Sequence, residues 1–192
     1  MLQRLARTRV VAAYLTQLER HPLATKCTTS GLLMVGSDGL RQGLERQGDD
    51  AAFRWDAART ARLTAFSIAV HAPYLHWYHP FVEAIYARHG VRHTVVKVAL
   101  DQALAAPPFL SLFLAYTALA EGLGVAGAKA RVAQQLPVLW QDSLWCWGPA
   151  HLVTFNLPVP LRVLWQDVVR VYFGSLMSLR GNAKLRPGGD EE

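Results

Sequence analysis

Segment 97–108, KVALDQALAAPP, holds the residues of this chain that are best suited to chemistry. Lys97 and Asp101 are four residues apart and so share one face of a helix, and Gln102 adds a second polar group beside them. A charge at the centre of a membrane helix costs roughly 2.5–3.5 kcal/mol, so it marks either a polar pathway or a satisfied structural pair. Two interpretations stay open: a pore-lining or gating cluster, and a network that satisfies backbone carbonyls where the helix begins.

Two adjacent prolines end this segment. Pro107 and Pro108 have no amide hydrogen, so neither donates the helical bond to the carbonyl four residues earlier. The carbonyls of Ala103 and Leu104 are then free to accept hydrogen bonds from elsewhere. Helix kinks are predicted at both prolines and at three further positions, Pro73, Pro149 and Pro160.

Other residue patterns argue against an enzyme. His71, His76 and His79 are close together, and His89 and His93 are four apart, but no carboxylate or cysteine completes either set as a metal site. The serines lack a nucleophile-elbow motif, and the glycines form neither a dinucleotide-binding nor a phosphate-binding loop. We therefore expect no catalytic residue, metal or cofactor, and we expect the histidines near Trp77 to lie in an aromatic belt at a membrane interface.

Composition leans toward a membrane protein. Hydrophobic residues make up 52% of the 192 residues and charged residues only 18%, against about 25% in a typical soluble domain. The formal net charge is +6. Because lysine and arginine are scattered singly, the charge favours anionic lipid near the basic termini over nucleic acid. Cys27 and Cys146 are the only cysteines and have no metal-binding or disulfide spacing.

Stretches free of charged residues indicate where the helices lie. Runs 63–82, 102–120 and 143–161 are each about as long as a membrane span, and each contains proline with small or polar residues. Such runs are typical of helices that pack against other helices. We predict one all-α domain over residues 1–192, an integral membrane bundle of about four transmembrane helices with proline kinks. The predicted spans are residues 22–40, 62–82, 96–120 and 138–158.

The N-terminal segment, residues 1–20, is predicted to be a basic amphipathic helix. It holds several arginines and no acidic residue before Glu19. This composition is typical of a mitochondrial targeting segment, which we expect to be retained.

The C-terminal segment, residues 159–180, is predicted to be a second amphipathic helix, followed by a polar tail at 181–192. Its leucines, valines and aromatic residues recur at helical spacing on one side. Gln166, Asp167 and Arg170 fall largely on the other side.

Several motifs, in order along the chain, resemble one family. YLTQLERHPLATKCTTSG begins at Tyr14, SDGLRQ contains Asp38 and Gln42, and DAARTARLTAF with APYLHWY covers 56–78. KVALDQALAAPP follows without a gap. Together they resemble the Mpv-seventeen family, which also includes the twenty-two-kilodalton peroxisomal membrane protein: small multi-span proteins of the mitochondrial inner membrane and the peroxisome.

The last family motif is altered. Where the family has Trp-Pro-x-x-Gln-x-x-Asn-Phe, this chain reads WGPAHLVTFN, with Gly148 for the tryptophan and Leu152 for the glutamine. The polar contact of that motif is expected to be lost or rebuilt, for instance by His151 and Asn156.

The resemblance implies a mitochondrial inner-membrane protein with a channel-like or metabolite-homeostasis role, the peroxisomal membrane being the alternative location. The alternative function is a non-catalytic accessory subunit of a larger inner-membrane assembly, such as a respiratory complex or ATP synthase. Protein partners in such a complex, or further copies of the chain, are expected. The residues predicted for a polar pathway or a structural network are Asp38, Gln42, Arg59, Arg62, His76, Lys97, Asp101 and Gln102.

Overall fold

The computed structural model describes residues 9–45, 54–88 and 90–185. His89, the start of the predicted N-terminal helix and the end of the predicted tail lie outside these residues. In the described part of the chain the structure is helical with no strand, which confirms the all-α prediction. The α-helices are α1 (Arg9–Arg20), α2 (Pro22–Glu45), α3 (Ala57–Phe66), α4 (Ala72–Ile85), α5 (Val91–Leu100), α6 (Ala106–Ala120), α7 (Gly124–Thr154) and α8 (Val159–Leu185).

Helix ends follow local chemistry. Asp56 caps α3, because its carboxylate accepts a hydrogen bond from the backbone N–H of Arg59. Gly122 and Gly124 adopt φ of +82° and +66° in the turn between α6 and α7, where other residues would be strained.

Two π-helical turns join neighbouring α-helices. Ser67–His71 connects α3 to α4, and Asp101–Ala105 connects α5 to α6. Each is followed at once by proline in the first turn of the next helix. Proline lacks the amide hydrogen that donates the α-helical bond. The wider π turn before each proline accommodates this missing bond. Pro149 lies inside α7, and Pro160 lies in the first turn of α8, where proline is tolerated.

Polar residues concentrate inside the bundle and apolar residues outside it. Among the described residues, 19 buried side chains are polar or charged and 13 are hydrophobic. Large apolar side chains on the outer surface are widely exposed, for example Leu104 at 68% and Trp145 at 80%. This distribution is the reverse of the one expected for a soluble domain.

The C-terminal helix follows this arrangement. α8 packs chiefly against α2, and α6 against α7. Arg162, Gln166 and Asp167 on α8 are buried, whereas Val168 and Tyr172 are exposed. The polar side of this amphipathic helix therefore faces the bundle.

One continuous helical stretch in the described residues, Val91–Ala120, is long and apolar enough to cross a membrane. It comprises α5, the second π turn and α6. The four-span arrangement stays a prediction, because α2 and α7 carry too many charged or polar residues to pass the same test by composition alone.

Candidate functional site

Asp38, in the C-terminal part of α2, binds side chains at the start of α3. Its fully buried carboxylate accepts hydrogen bonds from Gln42 Nε2 at 2.7 Å and from Thr60 Oγ1 at 2.6 Å. Arg59 Nε lies 3.0 Å from Asp38 Oδ1, and the same guanidinium contacts Glu45 at 2.6 and 2.9 Å. The hydrogen bond with Glu45 raises the pKa of Arg59, and the nearby carboxylate of Asp38 adds to this effect. Three of the predicted residues therefore form one structural cluster.

Two more contacts extend this cluster along the chain. Gln42 Oε1 accepts a hydrogen bond from the backbone N–H of Asp56 at 2.7 Å. Arg62 offers its backbone carbonyl to the hydroxyl of Tyr116 at 2.9 Å, which joins α3 to α6. The two family-like motifs around Asp38 and Asp56 thus hold two helices together across the intervening segment.

The side chain of Lys97 forms an ion pair with Glu83. Its ammonium lies 3.0 Å from each carboxylate oxygen of Glu83, and Arg162 binds the same carboxylate at 2.7 Å. The side chains of Lys97 and Arg162 are almost completely buried. Although Lys97 and Asp101 are spaced to share a helix face, each is engaged by its own partners.

Asp101 is the centre of a second buried network. The hydroxyl of Tyr78 donates to Oδ1 at 2.6 Å, and Oδ2 lies 3.1 Å from His151 Nε2 and 3.1 Å from Gln102 Nε2. Gln166 Nε2 lies 3.3 Å from His151 Nδ1 and so links the network to α8. His151, in the altered motif, therefore makes a polar contact of the kind that the sequence analysis expected to be lost or rebuilt.

A third network joins α2, α8 and the first π turn. Ser30 donates a hydrogen bond to Asp167, which Arg170 contacts at 2.8 Å. Arg170 also donates to Ser67 Oγ at 3.0 Å, and Ser67 donates to the carbonyl of Ser30 at 3.0 Å. Ser30, Ser67 and Asp167 are fully buried.

A cavity of about 290 Å³ lies between these networks. Its polar lining includes Asp101, Gln102, Ser143 and His151, with Arg170 also contributing. Side chains from α3, α4, α6, α7 and α8 form its aromatic walls: Phe66, Tyr74, Phe109, Phe113, Trp147 and Phe173. This is the usual composition of a small-molecule site, mostly apolar with a few placed polar groups.

The structure divides the predicted site residues between different places. Asp101 and Gln102 line the cavity. Lys97 does not, nor do Asp38, Gln42 and Arg59. His76 lies apart, with Nδ1 at 3.0 Å from the buried ammonium of Lys26. Of the residues predicted for a polar pathway, Asp101 and Gln102 are therefore the two that lie at a cavity large enough to hold a solute.

Sequence reasoning missed several of the buried partners. Glu83 is not among the residues predicted for the site, although it binds two cations from other elements. Gln166, Asp167 and Arg170 were placed on the polar side of an amphipathic helix, and no partner was predicted for them. Charged residues on an otherwise apolar helix were the available signal, since in a membrane the polar side turns inward. Ser30 and Ser67 gave no signal of their own.

Known proteins are similar to this chain over most of its length. "PXMP2/4 family protein 4" of Dictyostelium discoideum is 27% identical over 166 residues, which are 86% of this chain and 89% of that protein. "Peroxisomal membrane protein 2" of Bos taurus is 24% identical over 90% of each chain. "Mitochondrial inner membrane protein Mpv17" of Danio rerio is 24% identical over 88% of this chain and 96% of that protein. The family resemblance of the sequence motifs is confirmed by these homologues.

Two other comparisons gave no match. No protein-family profile matches the chain, and no solved structure matches it.

Proposed function

We propose that this chain, a homologue of peroxisomal membrane protein 2 and Mpv17, is a multi-pass organellar membrane protein that has a channel-like role and no enzymatic activity. The mitochondrial inner membrane is the proposed location, which agrees with the basic composition of residues 1–20. The peroxisomal membrane is the alternative. Lipid, with anionic lipid at the basic termini, is the proposed surrounding, and no nucleic acid is involved.

The reversed distribution of polarity carries this proposal. Charged residues such as Lys97, Asp101 and Asp167 are buried, and large apolar side chains face outward on α2, α4, α6, α7 and α8. Burying a charge is costly unless it is paired, and a large exposed apolar surface is costly in water. A lipid surrounding removes the second cost, so the arrangement supports about four spans around a polar interior.

The cavity supports the channel-like part of the proposal. A solute path through a membrane needs a space lined by polar groups at the depth of the bilayer. Asp101 and Gln102 lie at the start of the π turn within Val91–Ala120, and both line the cavity. We propose that the path of the permeating solute passes through this cavity.

Conductance measured in planar bilayers tests the proposal. The purified protein is expected to give a current, and Asp101→Asn is expected to change its size or its ion selectivity, because the substitution removes a charge from the cavity lining. Glu121→Gln is the control, since this exposed carboxylate pairs with Arg131 outside the cavity and its loss should leave the current unchanged. No current, or the same current in Asp101→Asn as in the unmodified protein, would refute the channel-like role.

A structural accessory subunit is the second candidate function. The family-like residues Asp38, Gln42 and Arg59 are used in a helix-to-helix contact rather than at the cavity, which favours a scaffolding role. Partners would be subunits of a larger inner-membrane assembly. Native electrophoresis in mild detergent tests this candidate: migration as part of a large assembly is expected, and migration only as a monomer or small homo-oligomer would contradict it.

A further inference from the structure

Several residues that line the cavity carry a buried polar atom with no hydrogen-bond partner among the described residues. His71 Nδ1, Gln102 Oε1 and Ser143 Oγ are three such atoms. The three residues are between 2% and 6% exposed. Leaving such an atom unpaired costs free energy, so a bound polar group that pairs with it is favoured.

The hydrogen bond made by the Gln102 amide shows which of its two polar atoms lacks a partner. Gln102 Nε2 donates to the carboxylate of Asp101, so the amide oxygen is the atom left over, and an oxygen of this kind only accepts. Ser143 Oγ both donates and accepts. A ligand that pairs with both atoms must therefore bring at least one hydrogen-bond donor.

The charged groups at the cavity are already paired within the protein. Both oxygens of Asp101 have partners, in Tyr78, Gln102 and His151. Arg170 is paired with Asp167 at 2.8 Å, and Arg41, the other arginine of the lining, lies 3.4 Å from Asp38 Oδ1. Because Asp101, Arg170 and Arg41 already have partners in the protein, an uncharged ligand fits best.

The aromatic walls and the volume of the cavity indicate the shape and size of the ligand. Aromatic rings surround the space, and Tyr74 and Phe109 stack with their centroids 4.9 Å apart. A volume of about 290 Å³ is at the lower end of the range for ligand pockets and suits one or two rings.

We propose that the cavity binds a small uncharged molecule with a flat aromatic body and a hydrogen-bond donor directed at Gln102 Oε1 and Ser143 Oγ. This proposal goes beyond the proposed function by naming a ligand of the cavity that is not the permeant ion, and it rests on that function only for the route by which the ligand reaches the cavity.

Equilibrium dialysis of the protein in lipid nanodiscs tests the proposal with three two-ring probes. The probes are 2-naphthol, its methyl ether 2-methoxynaphthalene, and 2-naphthoate, and uptake by empty nanodiscs is subtracted. 2-Naphthol is expected to bind saturably. The methyl ether, which cannot donate, and the anionic naphthoate are each expected to bind at least several-fold more weakly, since one neutral hydrogen bond corresponds to roughly 3- to 10-fold in affinity.

Two pairs of variants locate the binding. Ser143→Ala is expected to weaken 2-naphthol binding roughly 3- to 10-fold, whereas Ser111→Ala, on the neighbouring α6 and bonded to its own helix, should not change it. Ala105→Phe fills the cavity and should abolish binding, and Leu104→Phe, at the adjacent exposed position, should leave it intact. Because the Ser143 hydroxyl has no partner among the described residues, Ser143→Ala should fold at least as stably as the unmodified protein.

Several results would overturn the proposal. They are equal binding of 2-naphthol and its methyl ether, tighter binding of 2-naphthoate, unchanged binding in Ala105→Phe, or no saturable binding of any probe. These failures differ from failure of the channel-like role. Probe binding without current would refute only the channel, and current without probe binding would refute only the proposed ligand.

Discussion

Glu83 holds two buried cations at once. Lys97 and Arg162 come from α5 and α8, and both contact the same carboxylate at the end of α4. Removing one partner of a buried ion pair leaves an uncompensated charge, which is far more destabilising than losing an exposed pair. The stability of three helices relative to one another therefore depends on this single side chain.

Glu83→Gln is expected to lower the free energy of unfolding by about 3 kcal/mol, because it leaves Lys97 and Arg162 buried without an anion. Reversible unfolding in mixed detergent micelles measures the change. Glu121→Gln is the matched control, since Glu121 also pairs with an arginine, Arg131, but the Glu121 side chain is 40% exposed and that of Arg131 is 21% exposed. Its loss should cost less than about 1 kcal/mol. Equal losses in the two variants would contradict the role assigned to Glu83.

Helix α2 approaches the first π turn closely at Gly31. A Cβ atom at Gly31 would lie 2.8 Å from Ile68 Cδ1 and 2.9 Å from Ile68 Cγ1. Next to it, Ser30 donates to Asp167 and its carbonyl accepts from Ser67. A small residue at this position lets the two elements come close enough for the polar network to form, as is common between membrane helices.

Gly31→Val is expected to destabilise the protein by about 1–3 kcal/mol through overpacking. Adding Ile68→Ala to this variant should restore part of the lost stability, because it removes the side chain that clashes with the introduced valine. Gly36→Val, in the same helix, meets nothing within 4 Å and controls for helix propensity. Thermal unfolding in detergent compares the variants. Similar losses at Gly31 and Gly36, or no rescue by Ile68→Ala, would contradict the close contact.

At the scale of the whole molecule, the apolar surface is turned outward. Only 11% of the most apolar part of Val91–Ala120 is buried inside the protein, although this helical stretch is apolar enough to span a membrane. A core helix of a soluble protein would instead be mostly buried. Lipid is the surrounding in which such a surface is stable.

Leu104→Asp is expected to weaken insertion of Val91–Ala120 by about 3 kcal/mol, the cost of an acidic side chain near the centre of a membrane helix. An insertion assay that reports the integrated fraction of the segment in microsomes measures this. Leu123→Asp is the control, because Leu123 lies after α6 ends and is similarly exposed. Unchanged integration of Leu104→Asp would contradict a membrane-spanning role for this stretch.

The sequence by itself determined the helical class and the family resemblance. Charge-free runs with prolines, and the unbroken motif KVALDQALAAPP, depend on local composition and order, which are readable without a fold. It also identified Asp101 and Gln102 as polar groups inside an apolar stretch. These properties belong to one segment at a time.

Only the tertiary structure decided the partners of each charge. Lys97 meets Glu83 rather than Asp101, Asp101 meets His151 from α7, and Asp167 meets Ser30 from α2. These pairs join residues from different helices, and their contact depends on how the helices rotate and pack. The same holds for the cavity, whose walls come from six α-helices and both π turns. Spacing along the chain carries no information about such distances, which is why the sequence could name the polar residues but not the site that they form.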